Sequence, residues 1–149
     1  MKLAEFFSNY FTVRKEMVEA VKDLTPEQLN WTAPNHPNSI GRLLVHVAET
    51  ERGWIGCVAN KEKEKPDWSE FEKVGPLPEV LELLAREHSR FSEYLEREGT
   101  EDWDEVFYSY EPWAGEPGKV SKRWLVWHVV EHQARHRGQI FMLMRMQGL

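Results

Sequence analysis

A single-domain, all-α four-helix bundle spanning residues 1–149 is the fold this sequence predicts, and three observations predict it. Four segments repeat apolar residues at three- and four-residue spacing, the period of a helix with one buried face. No segment alternates apolar and polar residues convincingly enough for a half-buried strand. The breaks between the four segments carry Pro, Gly and clustered polar residues. At 149 residues the chain suits one core, large enough to bury about two-thirds of its unfolded surface.

The spacing predicts a first helix over residues 3–24, with Leu3, Phe6, Phe7, Tyr10, Val13, Met17 and Val21 on its inner stripe. Thr25-Pro26-Glu27-Gln28 then reads as a capped short turn, with Thr25 as N-cap and Pro26 in the first helical position. After a Pro-rich loop over residues 31–37, Asn38 or Ser39 caps a second helix running to about residue 60. Its inner face carries Ile40, Leu43, Leu44, Val47, Ile55 and Val58. A polar linker over residues 61–76 leads to a third helix over residues 77–98, where Pro78 is tolerable in the first turn. Residues 99–119 are expected to be irregular but packed, because Trp103, Phe107, Tyr108, Tyr110 and Trp113 suit a cover over something apolar. The last helix begins at Val120 or Ser121 and runs to Gln147.

Composition excludes several functional classes. With 25 acids against 19 bases the chain carries a net charge of −6, and its bases are spread along the helices. A nucleic-acid binder would need a basic stripe to neutralise phosphates. No run approaches the roughly twenty apolar residues of a membrane span. Cys57 is the only cysteine, which rules out an intramolecular disulfide and an all-cysteine zinc site. The N-terminal residues mix charge with aromatics and do not read as a signal peptide. A reducing cytoplasm is therefore the expected location. Seven Trp, seven Phe and four Tyr are a heavy aromatic load, suited to a thick core or a ligand cavity.

The chemistry concentrates in histidine. His128, His132 and His136 follow one another at four-residue steps on the last helix. Each step turns about 40° and rises about 6 Å, so neighbours share a face, while the outer two stand about 12 Å apart. One ion can therefore take an adjacent pair, and spacing leaves both pairs open. Leu125, Val129, Ile140 and Leu143 lie near the same face, so the imidazoles point along an apolar stripe. Burying them there is costly unless each nitrogen finds a partner, and a divalent ion is one. His46 on the second helix is the available third ligand. Three histidines with open coordination positions describe a catalytic site and not a closed structural one. His128-Val129-Val130-Glu131-His132 also spells the inverted zinc-protease motif, but no acidic residue follows Glu131 to complete it.

Two stretches resemble the DinB/YfiT-like superfamily of metal-dependent bacterial proteins. Asn38-Ser39-Ile40-Gly41-Arg42-Leu43-Leu44-Val45-His46-Val47-Ala48-Glu49 resembles the family's second helix, whose histidine is the first ligand. His132-Gln133-Ala134-Arg135-His136-Arg137-Gly138-Gln139-Ile140 resembles the H-x-x-x-H-R-G-Q-I signature that carries the other two. The resemblance, and not the spacing, selects His132 with His136 and brings in His46. It further implies a homodimer, a bound nickel or zinc ion, and a transferase, isomerase or hydrolase-like activity on a small-molecule substrate. A low-molecular-weight thiol such as bacillithiol, mycothiol or glutathione would be the cosubstrate. The alternative is a non-catalytic, dimeric stress-related or small-molecule-binding protein with a structural or vestigial metal. Arg135 departs from the family, where another His is common at that position.

Around this centre, Gln139 falls about 20° from His132 and two turns on, where it can orient an imidazole or touch a ligand. Glu49 can act as an outer partner or general base, and His128 as a pocket residue. Tyr108 or Tyr110 can supply a hydroxyl, with Trp31 and Trp54 adding to the wall. Arg137 points away from the pair, toward a structural ion pair. Cys57 lies about 16 Å along its helix from His46, beyond reach of the same ion. His36 and His88 read as surface residues.

Overall fold

A computed structural model describes residues 1–62, 68–110 and 117–149. Trp113 and Gly115, predicted to belong to the aromatic cover, lie outside the described residues, as does Pro66 of the linker. The chain forms α1 (Leu3–Phe6), α2 (Ser8–Val21), α3 (Pro26–Asn30) and α4 (Ile40–Glu51). A π-helical segment (Arg52–Ala59) continues α4, and a 3-10 turn (Trp68–Phe71) precedes α5 (Leu77–Arg97). A hairpin of β1 (Phe107–Tyr110) and β2 (Gly118–Ser121) then leads into α6 (Lys122–Met146). The bundle is all-α in its load-carrying parts: α1 with α2, α4 with its π extension, α5 and α6. Among the described residues no helix is long and apolar enough to cross a membrane.

Local chemistry sets the helix starts. Ser39 caps α4 by accepting from the Arg42 amide at 3.1 Å, and Ser121 caps α6 by accepting from the Trp124 amide at 3.2 Å. Thr25 and Gln28 satisfy each other's amides in a capping box at α3, with Pro26 in the first turn. The predicted first helix is broken once: Phe7 leaves helical geometry at φ −102°, ψ 32°. That break turns the Phe7 ring into the core, edge-on to Trp127 at 5.2 Å.

The hairpin corrects the expectation of no strands. Tyr108 pairs with Val120 and Tyr110 with Gly118 in an antiparallel ladder. Four-residue strands are too short for alternation to stand out in sequence, although Phe107, Tyr108 and Tyr110 are good strand formers. Backbone bonds from Lys122 to Val106 and from Arg123 to Trp103 tie this segment to the start of α6. The Lys122 ammonium is buried there and donates to Glu98 at 2.9 Å and Asp102 at 2.6 Å.

Two apolar clusters fill the bundle, one at each end. Met17, Val21, Leu44, Val47, Leu84 and Ile140 belong to the first, and Phe7, Tyr10, Ile55, Phe91 and Val129 to the second. Trp31 packs against the first cluster, away from the histidines. Between the clusters lies a polar layer with a residue from each long helix: Arg14, Glu51, Glu87 and Gln133, all buried. Arg14 and Tyr10 both donate to Glu51, and the Arg14 Nε donates to Gln133 at 2.6 Å. Glu87 accepts from Arg86 and Arg90, each at 2.9 Å.

His88 belongs to this layer and not to the surface. Its Nδ1 lies 3.0 Å from the Tyr10 hydroxyl, and its ring sits 5.3 Å from that of Tyr10. The helical wheel alone did not place it, because the partner hydroxyl comes from α2. Burial, aided by the Arg14 charge, pushes the His88 pKa down to about 4. An unfolded chain would take up the proton near pH 6.5. The stability tied to neutral His88 is thus complete above pH 6.5 and is lost as pH falls toward 4. A melting-temperature series over that range should decline, and His88→Gln should flatten the decline. Parallel curves for the two proteins would refute this assignment.

Candidate metal centre

His46 projects from the middle of α4, and His132 and His136 from adjacent turns of α6. Their rings meet where the two helices pack against each other. The Nε2 atoms of His46 and His132 are 3.0 Å apart, and those of His132 and His136 are 3.1 Å apart. One potential ligand atom from each of the three lies within 4.8 Å of the others. Outer partners fix which nitrogen carries the proton. The His46 Nδ1–H donates to Glu49 at 3.1 Å, and the His136 Nδ1–H donates to Gln139 Oε1 at 2.5 Å. Both Nε2 lone pairs are therefore turned inward.

When His132 also presents its Nε2 lone pair, the three repel one another unless something positive lies among them. A protonated ring is a poor answer, because burial and then the neighbouring imidazoles push the His132 pKa down to about 3. Burial likewise lowers His136, against the opposing effect of Gln139. Neutral imidazole is the form a metal needs. With metal–nitrogen distances of about 2.0–2.1 Å, three ligands of one ion stand roughly 3.0–3.4 Å apart, as His132 does from both His46 and His136. The donor set and its spacing fit a divalent ion, so the cluster could hold one.

The sequence profile of the DinB superfamily matches residues 10–140. The chain belongs to the DinB superfamily. A solved DinB-like protein from Bacillus cereus aligns with a TM-score of 0.69 and 21% identity, over 97% of this chain and 91% of that one. At that identity the likeness carries the fold. No functionally curated protein matches the chain.

In this DinB superfamily member, His128 stands apart from the cluster although it lies four residues from His132. Its ring stacks on Trp124 at 4.6 Å with an interplanar angle of 7°, and Trp54 abuts it edge-on at 5.3 Å. That aromatic grip holds the ring 5.9 Å from His132. Glu49 is no freely solvated acid: besides His46 it accepts from Arg42 at 3.0 Å. Arg135 is turned outward into a bidentate pair with Glu131, and Arg137 bonds Glu16 at 2.5 Å. Cys57, half-buried in the π segment, is not part of the cluster.

A cavity of about 510 Å³ opens beside the histidines. His46, His132, Glu49 and Thr50 line it with polar groups, and Trp54, Trp68 and His128 with rings. Of the two tyrosines expected there, Tyr108 is instead engaged with Tyr94, hydroxyl to hydroxyl at 3.0 Å. Tyr110 stands behind Trp54, with ring centroids 5.3 Å apart, and is not among the described lining residues. Trp54 does line the cavity, whereas Trp31 does not. Two lining residues escaped sequence reasoning. Thr50, one turn after His46, could have been found from that spacing: its hydroxyl lies 3.2 Å from His132 Nε2 and 3.0 Å from the His46 carbonyl. Trp68 sits outside the long helices, and no spacing links it to the site.

Proposed function

We propose that this protein is a metal-dependent enzyme that uses His46, His132 and His136 to hold one nickel or zinc ion beside a small-molecule cavity. The observation that carries the proposal is the convergence of three imidazoles, two of which, His46 and His132, line the cavity. Imidazole suits both metals. When bound there, the ion would supply Lewis acidity, lowering the pKa of a thiol or water that reaches it. Transfer of a low-molecular-weight thiol to an electrophile is the reaction that best uses such a site. The protein's own groups then have defined tasks. Glu49 and Gln139 hold the His46 and His136 rings with Nε2 inward, Thr50 offers a hydroxyl beside His132, and the tryptophans exclude water. A homodimer in a reducing cytoplasm completes this reading.

The test has two parts. Metal content of the purified protein should be stoichiometric, and a screen of bacillithiol, mycothiol and glutathione against electrophiles should show turnover that His46→Ala loses. Equal rates in wild type and His46→Ala would reject the metal-dependent reaction. Stoichiometric metal without turnover would favour a binding protein with a structural ion. The outer partners are testable too. Gln139→Leu frees the His136 ring to turn and should weaken metal binding by about 10–100-fold while the fold persists. Chelator competition measures this; an unchanged affinity would remove Gln139 from the site.

A further inference from the structure

We infer that Arg42 is a positioning residue for the metal centre: it fixes Glu49, and through Glu49 the ring of His46. The inference rests on the reading of His46 as a ligand, and goes beyond it by naming what holds that ligand's own partner. Arg42, His46 and Glu49 stand at i, i+4 and i+7 of α4, within about 60° of one another around the axis. Arg42 Nη2 donates to Glu49 Oε2 at 3.0 Å, and the His46 Nδ1–H donates to that same oxygen at 3.1 Å. The other arm of the guanidinium, Nη1, donates to the Phe71 carbonyl. Phe71 is buried in the first apolar cluster, so this arm is moored to a fixed point of the core.

Helix chemistry alone gives no reason for a cation here. Arg42 is the third residue of α4, and its amide is the one that Ser39 caps. Positive charge in a first turn opposes the helix dipole. Helical side chains also lean toward the N-terminus, whereas this one bonds a residue about 10 Å further along in the other direction. Two hydrogen bonds, one from each arm, hold it against both tendencies. A planar fork can span two such acceptors; a lysine ammonium is a point charge and cannot. The Arg42 and Glu49 side chains are 31% and 33% exposed, so solvent screening leaves the pair little net attraction. What it supplies is geometry: Glu49 gives up its rotamer freedom and stays where the His46 Nδ1–H meets it.

Two measurements on the full chain test this. In the metal-free protein at about pH 8.5, above the ordinary histidine range, nitrogen NMR should show His46 as the Nδ1–H tautomer. Arg42→Met should shift that ring toward Nε2–H. In chelator competition with zinc and with nickel, Arg42→Met should weaken binding about threefold to tenfold, less than the 10–100-fold of a direct outer partner. Arg42→Lys, which keeps the charge and lacks the fork, should weaken it equally. In a Glu49→Ala background Arg42→Met should cost nothing further, because its route to the ion is gone. An unchanged tautomer, an unchanged affinity, full retention by Arg42→Lys, or a loss that persists without Glu49 would each overturn the inference. The two readings fail separately. A wild-type protein that takes up neither zinc nor nickel removes the metal reading, and the His46 tautomer then decides the role of Arg42. Metal bound equally by wild type and Arg42→Met keeps the metal reading and removes the positioning role.

Discussion

His132→Ala should abolish stoichiometric uptake of a divalent ion. The His132 Nε2 is the central donor, 3.0 Å from that of His46 and 3.1 Å from that of His136, and its side chain is buried. Without it only two imidazoles remain, on different helices. Loss of an outer partner weakens a site about 10–100-fold, so removal of a ligand itself should exceed that range. Elemental analysis and chelator competition measure the loss, with circular dichroism as the control for an intact bundle. His128→Ala is the matched comparison. It removes an imidazole from the same helix face, yet uptake should persist because its ring is held 5.9 Å from His132 by the aromatic wall. Uptake retained by His132→Ala, or lost equally in both variants, would contradict the three-histidine assignment.

Arg14→Ala should be the most destabilising single substitution in the polar layer. Arg14 is 4% exposed and Glu51 1% exposed. Burial is the largest single influence and opposes the Arg14 charge, but Glu51 and Tyr10 together offset it and hold the guanidinium above its ordinary pKa. Removing Arg14 strands Glu51 in the bundle centre and frees the Gln133 amide oxygen. Breaking one side of a buried pair costs about 3–5 kcal/mol, which in a domain of this size lowers the melting temperature by roughly 6–20 °C. The double substitution Arg14→Met with Glu51→Leu should recover most of that loss, because no uncompensated charge is then buried. A shift of under about 2 °C in Arg14→Ala would show that the pair is dispensable.

This layer explains why part of the site was hidden from the sequence. On the helical wheel Arg14 and Glu51 read as polar residues near an apolar stripe, and only the approach of α2 to α4 brings them together. Gln133 follows His132 directly and Glu51 follows Thr50 directly. The bonds that join Arg14, Glu51 and Gln133 therefore lie one residue from Thr50 on α4 and from His132 on α6.

What the sequence determined by itself was the bundle: four apolar stripes, the cap at Thr25, a second cap at Asn38 or Ser39, and histidines on one face of the last helix. These are local properties, fixed by 3.6-residue periodicity and by side chains within one turn. Rise per residue also forbade a single ion from taking all three histidines of α6, although it could not choose the pair. The tertiary structure decided how they are arranged. His128 is drawn aside because Trp54 comes from the π segment, His46 meets His132 because α4 packs on α6, and Glu49 is committed because Arg42 reaches it. Tyr108 and His88 were misplaced for the same reason: their partners, Tyr94 and Tyr10, lie on other helices. Contacts between elements depend on packing angles and rotations that no periodicity encodes.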